Sequence, residues 1–89
     1  MKTLINVYRY DSDGIEDSMD ITEYVKDEVM YKRCIYVMFN KYRDDHCYIR
    51  ISENGEDVIH LDIKSYREAI NDMDAQLREL ARAGKTHFI

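Results

Sequence analysis

The chain has 89 residues, 45% of them hydrophobic and 11% aromatic, with no proline and three glycines. That is enough chain for one domain, expected over residues 1–89, and the apolar content argues against wholesale disorder. The formal charge of −5 disfavours direct nucleic-acid binding, because phosphate repels an acidic surface and counterion release needs Lys and Arg.

Residues 3–10, Thr-Leu-Ile-Asn-Val-Tyr-Arg-Tyr, read as a first strand with Ile5 and Val7 on one face and Leu4, Tyr8 and Tyr10 on the other. Asp11-Ser12-Asp13-Gly14 ends it as a turn. Asp20-Ile21-Thr22-Glu23 has the form of a capping box and predicts a short helix to about Val29. Residues 33–42 alternate, with Ile35, Val37 and Phe39 on one face and Cys34, Tyr36 and Met38 on the other, which predicts a strand. Two further strands follow, one over 46–52 with Cys47, Ile49 and Ile51 together, and one over 57–63 with Ile59, Leu61 and Ile63 together.

The parity of these side chains constrains the hairpins. A three-residue loop Glu53-Asn54-Gly55 sets Ile49 opposite Ile59, and Arg43-Asp44-Asp45 aligns Phe39 with Ile49. Ser65 with Glu68 starts a long helix that Gly84 ends, with Ala69, Ile70, Met73, Leu77 and Leu80 in its apolar stripe. The expected fold is therefore α+β in the order β-α-β-β-β-α, a three-stranded antiparallel meander preceded by a strand and a short helix. The long C-terminal helix would pack on one sheet face. Phe88 and Ile89 are expected to fold back or extend an edge strand. No internal repeat is evident.

Helix–three strands–helix from residue 20 onward resembles the double-stranded RNA-binding fold in topology. That resemblance implies a basic cluster at the start of the last helix. Lys64-Ser65-Tyr66-Arg67-Glu68 is mixed in charge, so the function is not carried over.

Signals for catalysis are close to absent: no Gly-rich phosphate loop, no Cys-x-x-Cys and no nucleophile elbow. No catalytic residue, metal site or cofactor is assigned. Neighbours on a strand point to opposite faces, so His46-Cys47 cannot act as a dyad. The run from Asp11 superficially resembles a calcium loop, but glycine falls at position 4 and Thr22 at position 12, against the 6 and 12 that the motif needs. Cys34 and Cys47 read as reduced thiols, which suits a cytoplasmic protein.

Two surfaces remain as candidates for a partner. Residues 1–30 carry three basic and eight acidic side chains, so the whole charge excess lies there. The eight are Asp11, Asp13, Glu16, Asp17, Asp20, Glu23, Asp27 and Glu28. Helix-end electrostatics explains Asp20 and Glu23, but Asp27 and Glu28 would sit at the unfavourable end of the predicted helix. The second surface is the predicted outer sheet face, with Tyr36, Met38, Tyr48 and Arg50, residue types enriched at interfaces.

Together they suggest a small acidic protein-binding module for a basic surface, such as a nucleic-acid-binding enzyme or complex. Phage or mobile-element inhibitors of the anti-CRISPR or anti-restriction type, acting by phosphate mimicry, are one such class. The alternative is a homo-oligomer, a dimer for instance, that buries its tyrosine face. An RNA-binding module ranks below both.

Overall fold

The computed structural model describes residues 1–63 and 65–89. In chain order it has β1 (Thr3–Arg9), β2 (Ile15–Asp20), a single 3-10 turn (Thr22–Tyr24), α1 (Glu28–Tyr42), β3 (Cys47–Glu53), β4 (Glu56–Asp62) and α2 (Tyr66–Arg82). The four strands form one sheet in the order β2-β1-β3-β4, and all neighbours are antiparallel. The α+β class, the four-stranded sheet and the long C-terminal helix are as the sequence predicts. The element order is not: it runs β-β-α-β-β-α, which also removes the topological resemblance to the RNA-binding fold. Lys64, in the segment that resemblance concerns, lies outside the described residues.

The segment predicted as a strand over 33–42 is the last two thirds of α1. Its buried residues, Tyr31, Cys34, Ile35, Met38, Phe39 and Tyr42, recur at the 3-and-4 spacing of a helix. The alternation of Ile35, Val37 and Phe39 imitates a strand only inside a window that begins after Tyr31. In the fold Val37 is half exposed. Asp27 supplies the start signal, its Oδ1 accepting from the N–H groups of Val29 (3.0 Å) and Met30 (3.2 Å).

No helix begins at Asp20. Its carboxylate instead accepts from the N–H and hydroxyl of Thr22, at 3.0 and 2.6 Å, a local turn that competes with a helical cap. Thr22 Oγ1 in turn accepts from the N–H of Thr3, tying this turn to the start of β1. The preceding residues, Ile15–Asp20, pair with β1 as an edge strand that buries little, so they carry no apolar alternation to read.

The β3–β4 hairpin turns on two residues, Asn54 and Gly55, both at positive φ. A bulge between Ile51 and Ser52 then restores parity, so Ile49 faces Leu61 and Ile51 faces Ile59. The predicted three-residue loop keeps the apolar face but misplaces its partners. Phe39 is not aligned with Ile49 in any ladder, since it lies on α1.

Both helices pack on the same sheet face. Ile5, Val7, Ile49, Ile51, Ile59 and Leu61 meet Tyr31, Ile35 and Phe39 of α1 and Ala69, Met73 and Leu77 of α2. Ser65 is the N-cap residue of α2 but makes no side-chain cap hydrogen bond. The helix ends in a Schellman arrangement, with Lys85 N–H to Leu80 O and Gly84 N–H to Ala81 O. The tail then folds back: Phe88 meets Tyr31 edge-on at 5.4 Å, and the N–H of Ile89 donates to Lys26 O. Cys34 and Cys47 are buried free thiols, one on α1 and one on β3.

The backbone is a tandem β-β-α repeat about a pseudo-two-fold axis near the Asn6–Arg50 pair. Ile5, Asn6, Val7 and Tyr8 of the first unit take the places of Ile49, Arg50, Ile51 and Ser52 in the second. Each hairpin bulges at the same step, after Val7 in one and after Ile51 in the other. The helices match as well: counted from their first residues, Tyr31, Ile35 and Phe39 fall where Ala69, Met73 and Leu77 fall.

Candidate functional site

With both helices on one side, the other sheet face is left uncovered among the described residues. The strand pairings put Leu4, Asn6 and Tyr8, then Tyr48, Arg50 and Ser52, then Asp57, His60 and Asp62 on that face. Ser18 and Asp20 complete it on the β2 side.

An aromatic strip occupies one end of it. Tyr8 and Tyr48 stack at 5.1 Å and 10° between ring planes. Tyr10 tilts against Tyr48 at 4.9 Å and against His46 at 4.8 Å, and His60 stacks on Tyr48 at 5.3 Å. The guanidinium of Arg50 lies 5.2 Å from the Tyr48 ring centre and 5.5 Å from that of Tyr8. Arg50 Nε donates to His60 Nδ1 at 3.4 Å, and Nη1 pairs with Asp57 at 3.6 Å. His60 Nε2 is 3.4 Å from Asp62, so one neutral tautomer, protonated on Nε2, satisfies both contacts. The Tyr10 hydroxyl donates to Asp62. Shielding from water and that hydrogen bond push its pKa up to about 12. Beside the strip, Ser18 donates to Asn6 Oδ1 at 2.9 Å and Asn6 Nδ2 donates to Ser52 at 3.3 Å.

Both sheet edges are blunted. The Gln76 side chain of α2 accepts from the N–H of His60 at 2.9 Å and donates to its carbonyl at 2.7 Å, filling one site on the outer edge of β4. On β2, Asp17 Oδ1 takes the N–H of Ser18 at 2.8 Å.

The predicted site residues divide sharply. Tyr48 and Arg50 belong to the uncovered face. Tyr36 and Met38 do not: both lie on α1, where Met38 is buried and Tyr36 is half-buried near Tyr66. Most of the acidic series has local work. Asp17 accepts from Tyr42 Oη (2.6 Å) and Lys41 Nζ (2.9 Å), and these bonds hold its carboxyl down at about 2. Glu16 pairs with Arg9, Glu28 with Lys32, Asp20 serves the Thr22 turn and Asp27 caps α1. Asp27 and Glu28 do not sit at an unfavourable helix end, because α1 begins there. Asp11, Asp13 and Glu23 are exposed. His60 lies on this face, as the parity of β4 predicts, and Tyr8, Tyr10 and His46 join it there. The parity of β1, which sets Tyr8 and Tyr10 opposite Ile5 and Val7, was the signal available.

No protein-family model matches the chain, and no curated protein or solved structure matches it. Among the described residues, no group of His, Cys, Asp and Glu could hold a metal ion, and no helix is long and apolar enough to cross a membrane.

Proposed function

We propose that this protein is a small acidic binding module, not an enzyme, that meets a basic protein surface with the uncovered face of its sheet. The observation that carries this reading is the continuous Tyr10–Tyr48–Tyr8 strip on a face that neither helix covers. Tyrosine offers a large contact area with a polar tip at low entropic cost. The blunted edges support use of the face over strand addition. The charge of −5 favours a basic partner by long-range attraction. A nucleic-acid-handling protein fits that description, because its binding cleft is basic.

Phosphate mimicry by the acidic series finds less support than the face does, since Asp17, Asp20 and Asp27 are engaged within the fold. Stacked tyrosines also suit single-stranded nucleic acid, a second reading that the net charge opposes.

The test is binding of the captured partner by wild-type protein and by the Tyr8→Ala/Tyr48→Ala double variant, at low and high salt. A loss of about tenfold or more, typical of removing interface anchors, in a variant that still unfolds cooperatively supports the reading. A captured partner that binds the double variant as well as wild type refutes it. Self-association alone would point to the homo-oligomer.

A further inference from the structure

We infer that the aromatic end of this face takes an arginine-bearing segment of the partner, with a guanidinium lying on the exposed ring of Tyr10 and carboxylates at the rim. This rests on the protein-binding reading above and adds the chemistry of the occupant.

A pseudo-two-fold backbone would present the same surface at both ends of the face if its side chains were repeated. They are not. One end pairs Tyr8 with Tyr48, while the other pairs Leu4 with Ser52. Tyr10 and His46 extend the aromatic end, held together by the Tyr10 N–H to His46 carbonyl bond at 3.2 Å. The chemistry has been concentrated at one end of a frame that did not require it.

The surface already holds one guanidinium in the proposed manner. Arg50 lies over Tyr8 and Tyr48 with Asp57 at 3.6 Å. An aromatic plane with a carboxylate at its edge suits a flat, weakly hydrated guanidinium better than a compact, strongly hydrated ammonium. Charge at this end is complementary to such a group. Asp11 and Asp13 follow Tyr10 directly and are exposed; Asp44, in the adjoining loop before His46, is exposed as well and shares its charge with Arg43 at 4.0 Å. A nucleotide could stack on the same rings, but its phosphates would face these carboxylates.

The probes are a short peptide of alternating arginine and glycine, its lysine counterpart of equal charge, and a short oligothymidylate. Each is titrated into the full chain at low ionic strength and followed by amide chemical shifts. The arginine peptide should move Tyr8, Tyr10, His46 and Tyr48, with the lysine peptide about three- to tenfold weaker. Tyr10→Leu should abolish that difference while the amide spectrum stays that of the folded protein. Equal affinity for the two peptides, shifts confined to other residues, or no binding of the arginine peptide would overturn the inference. Those results leave the protein-binding reading to its own test with Tyr8 and Tyr48. Oligothymidylate that binds and displaces the peptide would overturn both.

Discussion

Asp17→Asn should destabilise the protein in a way that disappears in acid. Asp17 joins edge strand β2 to the end of α1, accepting from Tyr42 Oη at 2.6 Å, Lys41 Nζ at 2.9 Å and the Ser18 N–H at 2.8 Å. The Tyr42 hydroxyl is the strongest cause of the depression of its pKa to about 2, followed by Lys41. Measured against an ordinary value of ~3.9, such a shift corresponds to about 2.6 kcal/mol at neutral pH. The carboxylate is 28% exposed and Lys41 60% exposed, so solvent screening reduces the expected contribution to about 1 kcal/mol.

The folded-state pKa is the lower one, so this stability is fully present above the unfolded pKa and fades as pH falls through about 2. Urea unfolding of wild type and Asp17→Asn from neutral pH to pH ~2 measures it. The gap between the two should be about 1 kcal/mol at neutral pH and should narrow below pH ~4. A gap independent of pH across that window would refute the assignment of this carboxylate as the link between β2 and α1.

Thr3 Oγ1 is a buried hydroxyl with no hydrogen-bond partner among the described residues. Thr3→Val should therefore leave stability unchanged or raise it by up to about 1 kcal/mol in urea unfolding. Gln76→Ala removes both hydrogen bonds to His60. It should cost about 1–2 kcal/mol and, by opening the β4 edge, increase self-association in light scattering. Asp27→Ala removes the cap of α1 and should cost about 1 kcal/mol in thermal unfolding, whereas Glu23→Ala, at an exposed position, should stay within about 0.5 kcal/mol of wild type.

Several features of the fold were legible in the sequence. Ile5 with Val7, Cys47 with Ile49 and Ile51, and Ile59 with Leu61 alternate cleanly because each strand has one buried and one open face. The Ala69–Met73–Leu77 stripe and Gly84 mark α2 for the same kind of local reason. The parity that buries Ile5 and Val7 also turns Tyr8 outward beside Tyr48.

Other features were decided only by tertiary structure. Residues 33–42 satisfy both a strand pattern and a helix pattern, and only packing of Tyr31, Ile35 and Phe39 against the sheet chooses between them. β2 exists because β1 offers it an edge, so a segment that buries almost nothing still becomes a strand. The acidic series looks like a free surface as a string of letters, yet Asp17 and Asp27 acquire fixed roles once α1 is in place. Burial patterns are local and survive in sequence. Strand neighbours, helix starts within ambiguous runs and the partners of charged side chains depend on residues distant in the chain, and these became visible only when the fold brought them together.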